Sequence, residues 1–264
     1  MIKRIATAIF GIPTIIACVY FGGLALALPL LALCLIGQRE VYFAVLYKEA
    51  RIFKFVGYAA SCFYIAAIFL EAPFNDLIIA VFFIILIIWA SAAYPRIKTQ
   101  DVLGVAFGFF YISFMLSFVL ITRAQYGFVF ALLIFVATVC GDSCAYLTGK
   151  HFGKNFLKNT SSPSKTVEGT IGGFWGAGLG GILYGYITER FFDAPSGFLL
   201  FSALIALLAA GAAFFGDLFA SLIKRQAGIK DFGALLPGHG GALDRFDSAI
   251  CAAPIIYICA RIFI

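Results

Sequence analysis

The stretch LIIAVFFIILIIWASAAY, Leu77 to Tyr94, decides which solvent this protein folds in. It carries no charge. A helix rises about 1.5 Å per residue and the hydrocarbon core of a bilayer is about 30 Å thick, so about 20 largely apolar residues cross it. The rest of the chain is of the same kind. Its 264 residues are 63% apolar and 12% charged, and the mean hydropathy is +1.03. Soluble domains average about 25% charged and 45–50% apolar. A water-soluble fold could not hide this much apolar side chain.

Nine segments have spanning character, roughly 5–20, 24–46, 55–71, 77–94, 102–122, 127–148, 167–188, 197–223 and 242–262. They predict an all-α polytopic membrane protein of about nine transmembrane helices. No linker separates domains, so 1–264 reads as one integral membrane domain, with N-terminal spans over 1–125 and catalytic spans over 126–264. Gln38, Arg39 and Glu40 interrupt the second segment. It ends near Gly37 or runs on as an interfacial helix. The opening MIKRIATAIFGIPTII lacks a small-residue cleavage site and reads as a retained first span.

The net charge is +6. Basic and aromatic residues do not interleave on a polar surface, so no nucleic-acid partner is expected. The positive charges sit in short loops, where they report topology. With the N-terminus inside, all Lys and Arg but Arg123, Arg190 and Arg261 fall inside, and the acidic turn EAPFND (71–76) falls outside. The expectation is a cytoplasmic N-terminus and an outside C-terminus. The seven cysteines form no CxxC pair and read as small buried hydrophobes. The segment EGTIGGFWGAGLGGILYG (168–185) repeats glycines four apart, a spacing that lets helix backbones approach closely.

Charges at membrane depth cost about 2.5–3.5 kcal/mol each and by default mark function. Three places concentrate them, all on the expected inner side. In GDSCAYLTGKHFGKN (141–155), Asp142 lies inside the sixth span, with Tyr146 and Gly149 on its face. Lys150, His151, Lys154 and Lys158 follow as a collar suited to anionic lipid. In SSPSKTVEGT (161–170), Ser164, Lys165 and Thr166 open a helix and suit an anion. Ser164 or Thr166 also reads as a plain N-cap. The P-loop pattern fails there, because Asn159 and Ser164 stand where it needs glycines.

The third place is KDFGALLPGHGGALDRFD, Lys230 to Asp247, with the helix before it. Asp217, Ser221, Lys224 and Arg225 fall on one helical stripe. The turn His239–Gly240–Gly241 opens the last span, whose N-terminus would offer N–H groups. Asp244 and Asp247 follow one turn apart, with Arg245 between. A lone His beside glycines is usually structural. Asp142, Asp217, Asp244 and Asp247 make a hard oxygen set suited to Mg²⁺, and the cations suit phosphate. Together these are the parts of phosphoryl or nucleotidyl transfer. A charge-paired structural knot, such as Asp231–Lys230 or Asp244–Arg245, is the plainer alternative.

SLIKRQAGIKDFGALLPGHGGALDRFD, Ser221 to Asp247, resembles the signature of the phosphatidate cytidylyltransferases, the CDP-diacylglycerol synthases. Every polar position matches, and Ala242 stands where a larger aliphatic is usual. GDSCAYLTGKHFGKN and SPSKTVEGTIGG resemble family segments too; residues 1–120 resemble it only as hydrophobic spans. The resemblance implies transfer of cytidylyl from CTP to phosphatidic acid at the inner face of the cell membrane, giving CDP-diacylglycerol and pyrophosphate. It implies Mg²⁺ on Asp217, Asp244, Asp247 and Asp142, with room for a second cation such as K⁺. Lys224, Arg225, Lys230, Asp231, His239 and Arg245 would form the reaction centre. Ser164, Lys165, Thr166, Ser221, Gly240 and Gly241 would hold the substrates. A homodimer is implied as well. The competing readings are another CTP- or ATP-dependent membrane lipid kinase or transferase and, further off, a cation-coupled transporter.

Overall fold

The computed structural model describes residues 2–46, 53–158, 160–192, 194–233 and 240–264. Among these, the regular structure is helical. In chain order the helices are α1 (Ile2–Phe21), α2 (Gly23–Val45), α3 (Lys54–Phe69), α4 (Asn75–Ala92), α5 (Thr99–Gly108), a π-helical segment (Phe109–Phe114), α6 (Met115–Phe152), α7 (Val167–Phe191), α8 (Phe198–Gln226) and α9 (Leu243–Phe263). An isolated antiparallel bridge joins Phe156 and Thr166.

Each of the nine expected segments falls on helical backbone. Among the described residues, five stretches are long and apolar enough to cross a membrane: Gly23–Val45, Asn75–Ala92, Thr99–Phe152, Phe198–Gln226 and Leu243–Phe263. The third holds two expected segments. They are separated at Gly127, whose φ of 83° breaks the helix in a region that side chains with a Cβ avoid. α7 has the length, at 25 residues, but glycines replace the aliphatic side chains that would raise its hydropathy.

The chain divides into two compact units, residues 1–120 with 226–245, and 121–225 with 246–264. In the first, α2 packs on α1, α3, α5 and the π segment. Val41, Tyr42, Ile65, Phe82, Leu86, Val105, Phe109 and Ile112 are buried there. The Tyr42 hydroxyl donates to the Val105 carbonyl at 3.1 Å, and a Cβ on Gly57 or Gly108 would overlap its ring. The second segment does not end at Gly37. α2 runs on to Val45 with Gln38 and Glu40 buried. Gln38 Nε2 donates to Ser61 Oγ at 2.7 Å, so a polar side chain is carried inside the helix bundle with a partner. Residues 1–120, which look poor in polar groups at depth, bury Gln38, Glu40, Ser61, Asp101, Ser113 and Ser117.

The second unit has a core of small residues, including Ala137, Ala177, Ala206, Ala209, Ala213, Ala220, Ala249 and Ala253. The glycines of α7 lie in contact with α6 and α8. A Cβ on Gly176 would stand 3.0 Å from the Cys140 carbonyl oxygen, and one on Gly181 would stand 2.5 Å from that of Ser202. Helices this close bring polar groups on α6, α8 and the α6–α7 loop into one neighbourhood.

Candidate active site

The site in the second unit begins with a folded loop. After α6, Leu157 N–H donates to the Lys165 carbonyl and Val167 N–H to that of Asn155, both at 2.9 Å. Glu168 accepts from Lys154 N–H at 3.2 Å and from the Asn155 side-chain amide at 2.7 Å. Thr166 caps α7, its Oγ1 accepting from Gly169 N–H at 3.1 Å. It is therefore the N-cap, and it is buried. Ser161 Oγ then donates to the Leu218 carbonyl at 2.6 Å. That bond ties the loop to α8 beside Asp217, and Lys165 Nζ meets Asp217 Oδ2 at 2.6 Å. Lys165 Nζ also lies 4.7 Å from the centre of the Phe214 ring, a cation–π distance.

Lys165, Thr166, Phe214 and Asp217 line part of a cavity of about 490 Å³, within the usual range for small-molecule sites. Asp142, Tyr146, Gly149, Ser164, Lys165, Thr166 and Asp217 all open on it. The expected α6 stripe, Asp142 with Tyr146 and Gly149, faces the cavity as the helical spacing requires. Gly141, Gly149, Gly169 and Gly173 form part of the cavity wall. A Cβ on Gly169 would stand 3.0 Å from the Ala145 carbonyl oxygen and 3.1 Å from the Gly149 Cα.

Asp247, buried on α9, joins the group. Asp217, Lys224 and Asp142 are near enough for their charges to act on it. α8 and α9 come together there, since a Cβ on Gly216 would stand 2.8 Å from the Asp247 carbonyl oxygen. Ser248 N–H donates to Asp247 Oδ1 at 2.7 Å, and its hydroxyl donates to the same oxygen at 3.4 Å. Ser248 is absent from the sequence-derived site. The only signal for it is its place next to Asp247. Ser221 is buried on α8, and Arg225 is exposed at the end of that helix.

The remaining predicted residues lie in the first unit. Asp244 Oδ2 accepts from Phe232 N–H and Gly241 N–H, both at 2.9 Å. Gly240 has φ 84°, and a Cβ there would stand 2.9 Å from the same oxygen, so the turn admits only glycine. Lys230, Asp231 and Arg245 are exposed. His239 lies outside the described residues. The N-terminus of α9, expected to offer N–H groups to an anion, instead gives three to carboxylates. Gly241 N–H goes to Asp244. Ala242 N–H goes to Glu40 Oε1 at 3.0 Å and Leu243 N–H to Glu40 Oε2 at 2.8 Å. Glu40, like Ser248, is absent from the sequence-derived site, because a charge there looked like the end of a span.

Asp142, Asp217 and Asp247 are hard oxygen donors and fit Mg²⁺ in type. Among the described residues, no group of three or more His, Cys, Asp or Glu side chains is close enough to hold a metal by itself. One or two carboxylates with water and substrate phosphates make up the usual Mg²⁺ shell, and that smaller protein share is what the three aspartates offer.

The chain matches the cytidylyltransferase family over residues 2–263. It is 31% identical over 265 residues to the phosphatidate cytidylyltransferase of Thermotoga maritima, covering 98% of this chain and 96% of that one. It is 38% identical over 160 residues to the phosphatidate cytidylyltransferase of Brucella suis, over 60% of this chain and 57% of that one. With that of Synechocystis it shares 40% identity over 131 residues, 50% of this chain and 43% of that one. A match running nearly end to end, on a helical chain that gathers carboxylates and lysines around one cavity, places this protein in the cytidylyltransferase family of nucleotidyl-transferring enzymes.

Proposed function

We propose that this enzyme transfers the cytidylyl group of CTP to phosphatidic acid, giving CDP-diacylglycerol and pyrophosphate for phospholipid synthesis. The observation that carries the reading is the cavity lined by Asp142, Ser164, Lys165 and Asp217, in a chain related over its whole length to a phosphatidate cytidylyltransferase. In the reaction, a phosphate oxygen of phosphatidic acid attacks the α-phosphorus of CTP. The bond from that phosphorus to the oxygen bridging to the β-phosphate breaks, and pyrophosphate leaves. The nucleophile is already anionic near neutral pH, so no strong base is required of His239.

Catalysis then rests on positioning and charge. Lys165 and Lys224 offset the repulsion between two anionic substrates. Ser164 and Thr166 orient phosphate oxygens by hydrogen bonds. Asp142, Asp217 and Asp247 would hold Mg²⁺, which when bound polarises phosphoryl oxygens and offsets charge on the leaving group. Arg225, Lys230, Asp231, His239 and Arg245 are expected to serve the reaction, Ser221, Gly240 and Gly241 to bind substrate, and Asp244 to bind metal.

The same reading has nine crossings, a cytoplasmic N-terminus, and a site facing the cytoplasm from the inner membrane. CTP then arrives from the cytosol and phosphatidic acid from the leaflet. A homodimer is the expected assembly. Its interface lies elsewhere than the α7 glycines, which face α6 and α8.

The test is pyrophosphate release by the purified protein in mixed micelles with CTP, phosphatidic acid and Mg²⁺, each omitted in turn. Release that requires all three is the expected result. Turnover restored only by ATP or by a different lipid would replace this reading with a lipid kinase or another transferase.

A further inference from the structure

The signature turn is shaped by a carboxylate some 200 residues upstream. Glu40 sits on α2 with 7% of its surface exposed. Each of its oxygens takes one backbone N–H at the start of α9, Ala242 at 3.0 Å and Leu243 at 2.8 Å. Two of the donors a helix leaves unsatisfied at its N-terminus are thereby satisfied, and the negative charge lies at the positive end of the dipole. The two glycines nearest it are matched to the carboxylate. A Cβ on Gly241 would stand 2.6 Å from both Glu40 oxygens, and one on Gly233 would stand 2.6 Å from Oε1. Asp244 closes the other side of the turn by binding Phe232 N–H and Gly241 N–H. Four backbone donors of the signature segment are thus held by two carboxylates, and one of these comes from outside the signature.

We propose that Glu40 is a positioning residue for cytidylyl transfer. It fixes the start of α9, the helix carrying Asp244, Arg245 and Asp247, and it acts on the reaction through that helix without touching substrate. The inference rests on the function proposed above. It explains why a chain that gains nothing from a bare charge at depth places one on α2. A buried carboxylate costs several kcal/mol unless it is hydrogen-bonded, and here both oxygens are.

Glu40→Gln tests it without changing shape. The amide keeps one acceptor and turns an NH₂ toward a backbone donor, so one N–H loses its partner. Three quantities are read on the monodisperse, folded protein: kcat, KM for CTP, and the rate of tryptic cleavage after Lys230, an exposed residue at the edge of the clamped segment. The expected result for Glu40→Gln is a kcat at least ten-fold lower, a KM for CTP within about three-fold of wild type, and cleavage several-fold faster. Glu40→Ala should go further in the same direction. If it does not fold, Glu40→Gln still decides the matter. An unchanged kcat overturns the proposal, whether or not cleavage quickens. So does a lower kcat with unchanged cleavage, which would mean that Glu40 acts otherwise than by holding the turn. An inactive wild type would fail the cytidylyltransferase reading instead, and the cleavage rates would separate that case from this one.

Discussion

Asp217 and Lys165 form an ion pair at the wall of the cavity. Their contact at 2.6 Å leaves the side chains 25% and 30% exposed for Lys165 and Asp217 respectively. Pairs with that much exposure contribute at most about 1 kcal/mol to stability. On the proposed function, the consequence of removing the charge belongs to the reaction. Asp217→Asn keeps the shape and should lower turnover about 100-fold or more, the usual scale for removing one charge-stabilising group. Its melting temperature in detergent should stay close to wild type. Steady-state pyrophosphate release beside a thermal melt checks both, and normal turnover would remove Asp217 from the site. Asp142, Asp217 and Lys165 were legible in the sequence because charge at membrane depth is expensive. Their meeting was not, since it depends on Ser161 reaching the backbone of α8. Glu40 and Ser248 were illegible for a related reason. Their roles are set by partners, and neither stands in a pattern of its own.

At the scale of the helix, α7 is where composition and packing agree. Its repeated glycines imply close approach, and the structure shows the approach to be to α6 and α8 of the same chain. The limit is steric and specific to position. A Cβ on Gly181 would stand 2.5 Å from the Ser202 carbonyl oxygen, which is backbone and cannot rotate away. Gly181→Ala should therefore force α7 and α8 apart and destabilise the protein by about 1–3 kcal/mol, the range for overpacking. Gly211→Ala on α8 is the control, because its Cβ would meet only Phe174 at 3.5 Å, an ordinary contact. Thermal melts of the two variants in one detergent should separate them by several degrees. Equal melts would show that α7 and α8 have room to move. The helix boundaries were the least legible feature at this scale. α2 continues past the charged triplet because Gln38 and Glu40 find partners that a sequence does not display.

For the whole molecule, the loop charges predict an orientation. A short epitope inserted in the 71–76 turn should be reached by antibody on intact spheroplasts. One inserted near Lys154 should be reached only after permeabilisation. The reverse pattern would invert the topology and place the site on the wrong side for CTP. Taken by itself, the sequence determined that the protein is helical and apolar enough for a membrane, and roughly where its helices lie. These follow from one-dimensional quantities: hydropathy, helical period and the cost of charge in lipid. Only the tertiary structure decided that Lys165 pairs with Asp217, that Asp244 closes a turn, and that Glu40 holds the start of α9. The first and last of those contacts join residues about 50 and about 200 positions apart. A backbone donor shows no trace in sequence of which distant carboxylate will take it, because that choice is made by packing.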